Sequence, residues 1–281
     1  MNNNVEYMDK AEARVLLLYL LKKLNTVCET ANIPCYASGG TCLGAVRHSG
    51  FIPWDDDIDY MIPRECYDLF VETCEKVLEK PVVIRTREND PYFCQEYIKL
   101  CFEDDELGFS DVSIDVFFLD ETDPKRTMFR SIQNKVLINL YFIKLYKVSK
   151  MGKGEEYVPG NPLKRVFLSI MSHMSIKKIN SIHKKTMTAE KKVGDYYINW
   201  GSCYSYKKAT YAKSALGTPK KADFENTYIY IAEKPEVILT QLYGENYMTP
   251  PPVDKRTDHG VRKLNCKSID FEAVKKEVGE F

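Results

Sequence analysis

The chain has no net charge, no C-x-x-C pair, no bilayer-length apolar run, and neither internal repeats nor low-complexity linkers. Each absence excludes something. Forty Lys and Arg balance forty Asp and Glu, so nothing pulls the whole molecule toward nucleic acid or a membrane. Nine cysteines, an odd number without metal-ligand spacing, point to reduced thiols in a cytosolic compartment rather than a disulfide framework or a zinc site. The apolar run Val15–Leu21 falls far short of the roughly 18–20 residues that span a bilayer. The opening MNNNVEYMDK lacks a basic region followed by an apolar one, so a soluble protein without a signal peptide is expected. Its glycine pair, Gly39-Gly40, fits neither G-x-G-x-x-G nor G-x-x-x-x-G-K-[ST], which removes a dinucleotide fold and a P-loop. Asp55, Asp57 and Asp59 start like a calcium loop, but Tyr60 and Cys66 stand where its glycine and glutamate are required.

What is present is ordinary globular composition, 44% hydrophobic and 28% charged over 281 residues, enough for one large domain or a core with an appended subdomain. The charge is uneven. From Lys125 to Lys192 sixteen Lys or Arg stand against three acids, a surplus of thirteen that the rest must balance. Apolar spacing predicts a helix over residues 9–31, and Cys35–Gly40 reads as a short strand entering a turn. A short helix over Thr41–Gly50, capped by Thr41, is expected next, then a strand over Asp57–Ile62 and a helix from about Arg64 to Lys80. Strands are predicted at Val82–Arg87, Glu96–Phe102 and Val112–Asp120, and again at Thr227–Ala232 before a helix at Pro235–Gly244. Helices are predicted at Phe129–Val148 and Leu163–Ile179, parted by a Gly/Pro segment. The fold class is thus α/β, with a core over 1–124, a basic helical subdomain over 125–199 and a tail over 200–281 that returns to the core.

Alternating acids are unusual on an apolar strand. Side chains alternate faces, so Asp57 and Asp59 share one face and Ile58 and Tyr60 the other. Carboxylates that close resist joint ionisation unless a cation sits between them, and hard oxygen ligands suit Mg²⁺ or Mn²⁺. Asp115, flanked by Ile114 and Val116, projects from an apolar strand in the same way. On neighbouring strands the three acids could surround one or two metal ions in an in-line phosphoryl displacement. Gly39, Gly40 and Thr41, between a strand and a helix, offer bare N–H groups to phosphate.

A glycine pair, then D-h-D, then h-D-h resembles the nucleotidyltransferase-like superfamily, and GGTCLGAVRHSGFIPWDDDID closely resembles the LicD family, which includes fukutin and the fukutin-related protein. Likeness continues in IDVFFLD (Ile114–Asp120), DFEN (Asp223–Asn226) and LYGENYMTPPP, with Arg256 and His259 after it. The resemblance implies a nucleotidyltransferase-like core that transfers a phospho-alcohol from a CDP-linked donor, usually CDP-choline, to a hydroxyl of a surface glycan or teichoic acid, releasing CMP. By position Asp57 and Asp59 would be metal ligands, and Asp115 a third ligand or the base. Gly39, Gly40 and Thr41 would hold donor phosphates, with Arg47, His48 and Lys99 as cationic groups. Asp56, Glu225, Arg256 and His259 are lesser candidates.

Plainer roles compete at several positions. Asp55 and Asp56 read as turn residues, Lys99 as an outward strand lysine, and Tyr197, Tyr204, Tyr206 and Tyr211 as packing rather than a cage for a quaternary ammonium. The basic 125–192 region reads first as subdomain core and second as a contact with an anionic membrane face. Nucleotidyl transfer, a DxD-type glycosyltransferase and a non-catalytic glycan- or nucleotide-binding module remain open beside phosphotransfer.

Overall fold

The structure, a computed structural model, describes residues 6–90, 93, 95–124, 131–133, 135–137, 173–188, 194–256, 262–264 and 269–279. Its elements in chain order are β1 (Glu6–Met8), α1 (Lys10–Thr30), β2 (Tyr36–Ala37), α2 (Gly39–His48), β3 (Ile58–Pro63), α3 (Tyr67–Val77), β4 (Val82–Arg85), β5 (Ile98–Asp104) and β6 (Gly108–Thr122). After these come α4 (Ile176–Met187), β7 (Tyr196–Asn199), β8 (Thr210–Ala212), α5 (Lys213–Leu216), β9 (Lys220–Phe224), β10 (Thr227–Ile231), α6 (Pro235–Tyr243), β11 (Arg262–Leu264) and α7 (Phe271–Val278).

Helix α1 starts at a capping box, in which Asp9 accepts the Glu12 N–H while Glu12 accepts the Asp9 N–H. Leu16, Leu17, Leu18, Leu20, Leu21 and Leu24 are all fully buried, a wider apolar stripe than a surface helix carries. The reason is its place: α1 lies against the sheet at β6 and is covered by α3, β10 and α7. At about 1.5–3 kcal/mol for each buried leucine, this helix is a principal source of stability.

The mixed sheet runs β2-β3-β6-β5-β4, with β7 on β6 and β8 on β7. Long β6 organises it, parallel to β3 along one edge and antiparallel to β5 and then β7 along the other. Alternation sorts its two faces. Ile58, Tyr60, Ile62, Ile114, Val116 and Phe118 join α1 in the main core, while Met61, Phe117 and Leu119 join Tyr211, Leu216, Ile238 and Leu242 in a second. The tail meets the core through Asn25, which donates to Tyr228 O, and through Lys22, which donates to the last carbonyls of α7.

Several boundaries move. The acidic strand begins at Ile58, leaving Asp57 in the preceding loop. Helix α2 begins two residues before Thr41, after Ser38, and ends at Ser49 in the left-handed conformation. The helix expected through Leu163–Ile179 is not continuous, because 173–175 is turn and bend and Ser175 caps a new start at α4. The helix expected at 129–148, apart from short helical pieces at 131–133 and 135–137, lies outside the described residues, as do the Gly/Pro segment and His259. Tyr196–Asn199, from the stretch read as helical, is a strand of the core sheet. No helix among the described residues is long and apolar enough to cross a membrane.

Candidate active site

Register brings the acids together. Asp59 on β3 lies directly beside Asp115 on β6, and Asp115 directly opposite Lys99 on β5. With strands ~4.8 Å apart, the three side chains form a row across the face that carries the second core. Lys99 Nζ donates to Asp115 Oδ1 at 2.6 Å and to Ser113 Oγ at 3.0 Å. Lys99 is thus a partner of the site acid rather than an outward lysine.

The glycine pair is tied to the same row through the backbone. Asp59 N donates to Thr41 Oγ1 at 2.9 Å, and Ser38 N donates to Asp59 O at 2.9 Å. Thr41 therefore does not cap α2; it clasps the acidic strand to the first turn of the helix. Gly39 has φ +51°, a left-handed conformation that glycine adopts without penalty. At Gly40 the constraint is space, because an added Cβ would stand 2.7 Å from Asp55 Oδ2. Asp55 therefore belongs with the site acids.

Burial, together with Asp57, Asp115 and Asp55 nearby, raises the Asp59 carboxyl well above the ordinary range, and Lys99 only partly opposes this. Asp56 is completely buried, its N–H on Asp55 Oδ1, and does not solvate the turn. Tyr204 and Tyr243, whose hydroxyls are 2.7 Å apart, stand over Gly39. Burial raises both phenols, with Asp55 and Asp59 contributing at Tyr204. They arrive from distant parts of the chain, Tyr204, read from the sequence as packing, from the β7–β8 connection and Tyr243, within the LYGENYMTPPP stretch, from α6. Tyr197, Tyr206 and Tyr211 are elsewhere: Tyr197 donates to Glu65, Tyr206 packs edge-on to Trp200, and Tyr211 is core.

The other candidates disperse. Arg47 and His48 close the far end of α2, where Arg47 donates to Tyr247 O at 2.8 Å. Arg256 lies 4.3 Å from the Trp54 ring centre, and Arg47 reaches the same ring at 6.0 Å. Burial and the Arg47 charge lower the His48 pKa, which favours its neutral form. Glu225 accepts the Phe51 N–H at 2.8 Å and pins the loop after α2, away from the acid row.

The donor chemistry suits a hard cation. Carboxylate oxygens are the ligands Mg²⁺ and Mn²⁺ prefer, and the crowded Asp59 charge is what a cation would relieve. Among the described residues no three His, Cys, Asp or Glu groups converge as a closed cage.

Comparison with known proteins bears on the same segment. Residues 32–131 match the family described as LicD/FKTN/FKRP, nucleotidyltransferase domain. The lipopolysaccharide cholinephosphotransferase LicD of Haemophilus influenzae is 26% identical over 258 residues, covering 88% of this chain and 95% of that protein. An uncharacterized protein of Rickettsia typhi is 45% identical over 56 residues, 20% of this chain and 18% of its own length. One from Rickettsia prowazekii is 38% identical over 60 residues, 21% of this chain and 23% of its own. The segment that resembles the LicD/FKTN/FKRP nucleotidyltransferase domain, residues 32–131, holds the glycine pair and every acid of the row.

Proposed function

We propose that the protein is a metal-dependent phosphotransferase that moves phosphocholine from CDP-choline to a hydroxyl of a surface glycan or teichoic acid precursor, releasing CMP. The observation that carries this is the Asp59–Asp115 register, clasped through Thr41 to the start of α2. The similarity to a lipopolysaccharide cholinephosphotransferase over nearly the whole chain supports the donor and acceptor classes.

Asp57 and Asp59 would hold Mg²⁺ or Mn²⁺, which when bound neutralises phosphate charge as bonding to phosphorus changes. The N–H groups at the start of α2, which the Ser38 side chain does not cap, would suit the donor phosphates. Lys99 orients Asp115, which would take the proton of the acceptor hydroxyl or serve as a further ligand. The acceptor oxygen attacks the choline-bearing phosphorus, the bridging P–O bond breaks, and CMP leaves with that oxygen. Tyr204 and Tyr243, whose hydroxyls meet beside Gly39, would border a donor bound at the start of α2. Arg47 and Arg256, both beside Trp54, would meet a more distant part of the donor rather than the reacting phosphorus. A cytoplasmic site of action, in contact with the inner membrane face through the basic 125–192 stretch, completes the reading.

Screening CDP-choline, CDP-ribitol, CDP-glycerol and CDP-ethanolamine for Mg²⁺-dependent CMP release tests it, with CDP-choline expected to be fastest. The family description favours one alternative, nucleotidyl transfer, which would use the same acids at the α-phosphate of a nucleoside triphosphate. Pyrophosphate release from CTP or ATP, with no CMP from any CDP-alcohol, would establish that alternative.

A further inference from the structure

A cavity of about 1030 Å³ lies on the far side of β6 from the acid row, between α4 and the sheet. It is at the upper end of the ~300–1,000 Å³ typical of ligand pockets. Tyr67, Tyr97 and Phe118 give it ring surfaces, and Asn180 and Glu96 line it with polar groups. Most of its charges are already engaged: Arg64 with Asp120, and His183 with both Glu96 and Arg87.

Two acceptors are exceptions. The Glu96 side chain is 4% exposed, and among the described residues its Oε2 has no hydrogen-bond partner, nor does the buried Oδ1 of Asn180. Buried acceptors without donors cost about 1–3 kcal/mol each, so they mark a place for a donor-bearing ligand. A quaternary ammonium has no N–H to give. Hydroxyls do, and carboxylate and amide acceptors beside aromatic faces are the chemistry that binds sugars.

The sheet itself supplies a route to the acids. β5 leaves β6 after the Ile98–Val116 pair, and β7 joins only at Asn199–Leu119, so among the described residues Phe117 and Phe118 have no strand partner on that edge. Tyr97 stands at this break. Its ring lines the cavity, lies 4.5 Å from Phe117 and comes within 5.7 Å of Lys99 Nζ, the partner of Asp115. One ring therefore separates the cavity from the acid row.

We propose that this cavity is the acceptor subsite, taking a hydroxyl-rich saccharide whose reacting hydroxyl reaches Asp115 past Tyr97. The proposal rests on the phosphotransfer reading for its chemistry but not for its binding. The probe is the core oligosaccharide released from lipopolysaccharide by mild acid. Asn180→Ala is expected to raise the KM for this oligosaccharide about tenfold while the KM for CDP-choline changes less than twofold. Saturation-transfer NMR without donor should show contact of the oligosaccharide with the wild-type protein, and its loss in Thr188→Trp, which fills the rim. Equal saccharide binding or equal acceptor KM in folded variants would overturn the subsite, as would no binding to the wild type. Binding that is lost in Thr188→Trp, with no CMP release from any CDP-alcohol, would uphold the subsite and reject phosphotransfer.

Discussion

Arg64→Met should destabilise the fold severely, and more so at high pH. Arg64 Nε and Nη2 each donate at 3.0 Å to one oxygen of Asp120, whose side chain is 2% exposed, and the guanidinium lies 4.3 Å from the Phe118 ring centre. Removing one partner of a buried pair leaves an uncompensated charge, at a cost of about 3–5 kcal/mol against a typical total of about 5–15 kcal/mol. Burial already raises the Asp120 carboxyl although Arg64 opposes it, so losing Arg64 raises it further. A carboxyl with a raised folded-state pKa favours folding when protonated, and that stability is lost as pH rises through the raised value. The deficit against wild type should thus be largest near pH 8 and shrink toward pH 5. Urea unfolding followed by circular dichroism at both pH values measures it, and Arg64→Met/Asp120→Leu should recover most of the loss. A deficit below about 1 kcal/mol at pH 8, or one that grows on acidification, would refute the reasoning.

Two further outcomes follow from the same geometry. In Gly44→Ala the new Cβ would lie 2.5 Å from Gly50 O and 3.4 Å from Ile52 N, both backbone atoms, so about 1–3 kcal/mol should be lost; an unchanged melting temperature would show that the loop yields freely. Asp59→Asn removes one charge from the crowded acids, so it should raise the melting temperature of the metal-free protein while CMP release falls at least a hundredfold, and a lower melting temperature would contradict the crowding.

Local pattern carried much of this molecule. Apolar flanks mark Asp59 and Asp115 as acids on core strands, because that pattern is a property of a single strand and needs no knowledge of its neighbours, whereas Asp57, expected on the same strand face as Asp59, lies in the loop before β3. The partnership of Asp115 with Lys99 depends on the register of the β5–β6 hairpin, which sets residues sixteen positions apart opposite one another, and no short window contains it. Thr41 is a strong capping residue type, and the sequence offers no sign that its hydroxyl is taken by Asp59 N while Ser38 occupies the cap position. Tyr243 reaches the site through long-range packing of α6 on α2, and Tyr204 meets it from the β7–β8 connection, so their pairing over Gly39 is not visible in either local stretch. Asp55 and Asp56 looked like turn residues because three consecutive acids favour solvent, yet one joins the site and the other is enclosed by the fold.

The central claim is that Asp57 and Asp59 hold a divalent cation for attack on a CDP-linked phosphorus. CMP release from CDP-choline, followed with Mg²⁺ and again after chelation, in wild type and in folded Asp57→Ala and Asp59→Ala, tests it most directly. The account predicts turnover in the wild type with metal alone, and none above background in either variant or after chelation. Full activity in either variant, or in the chelated enzyme, would contradict it.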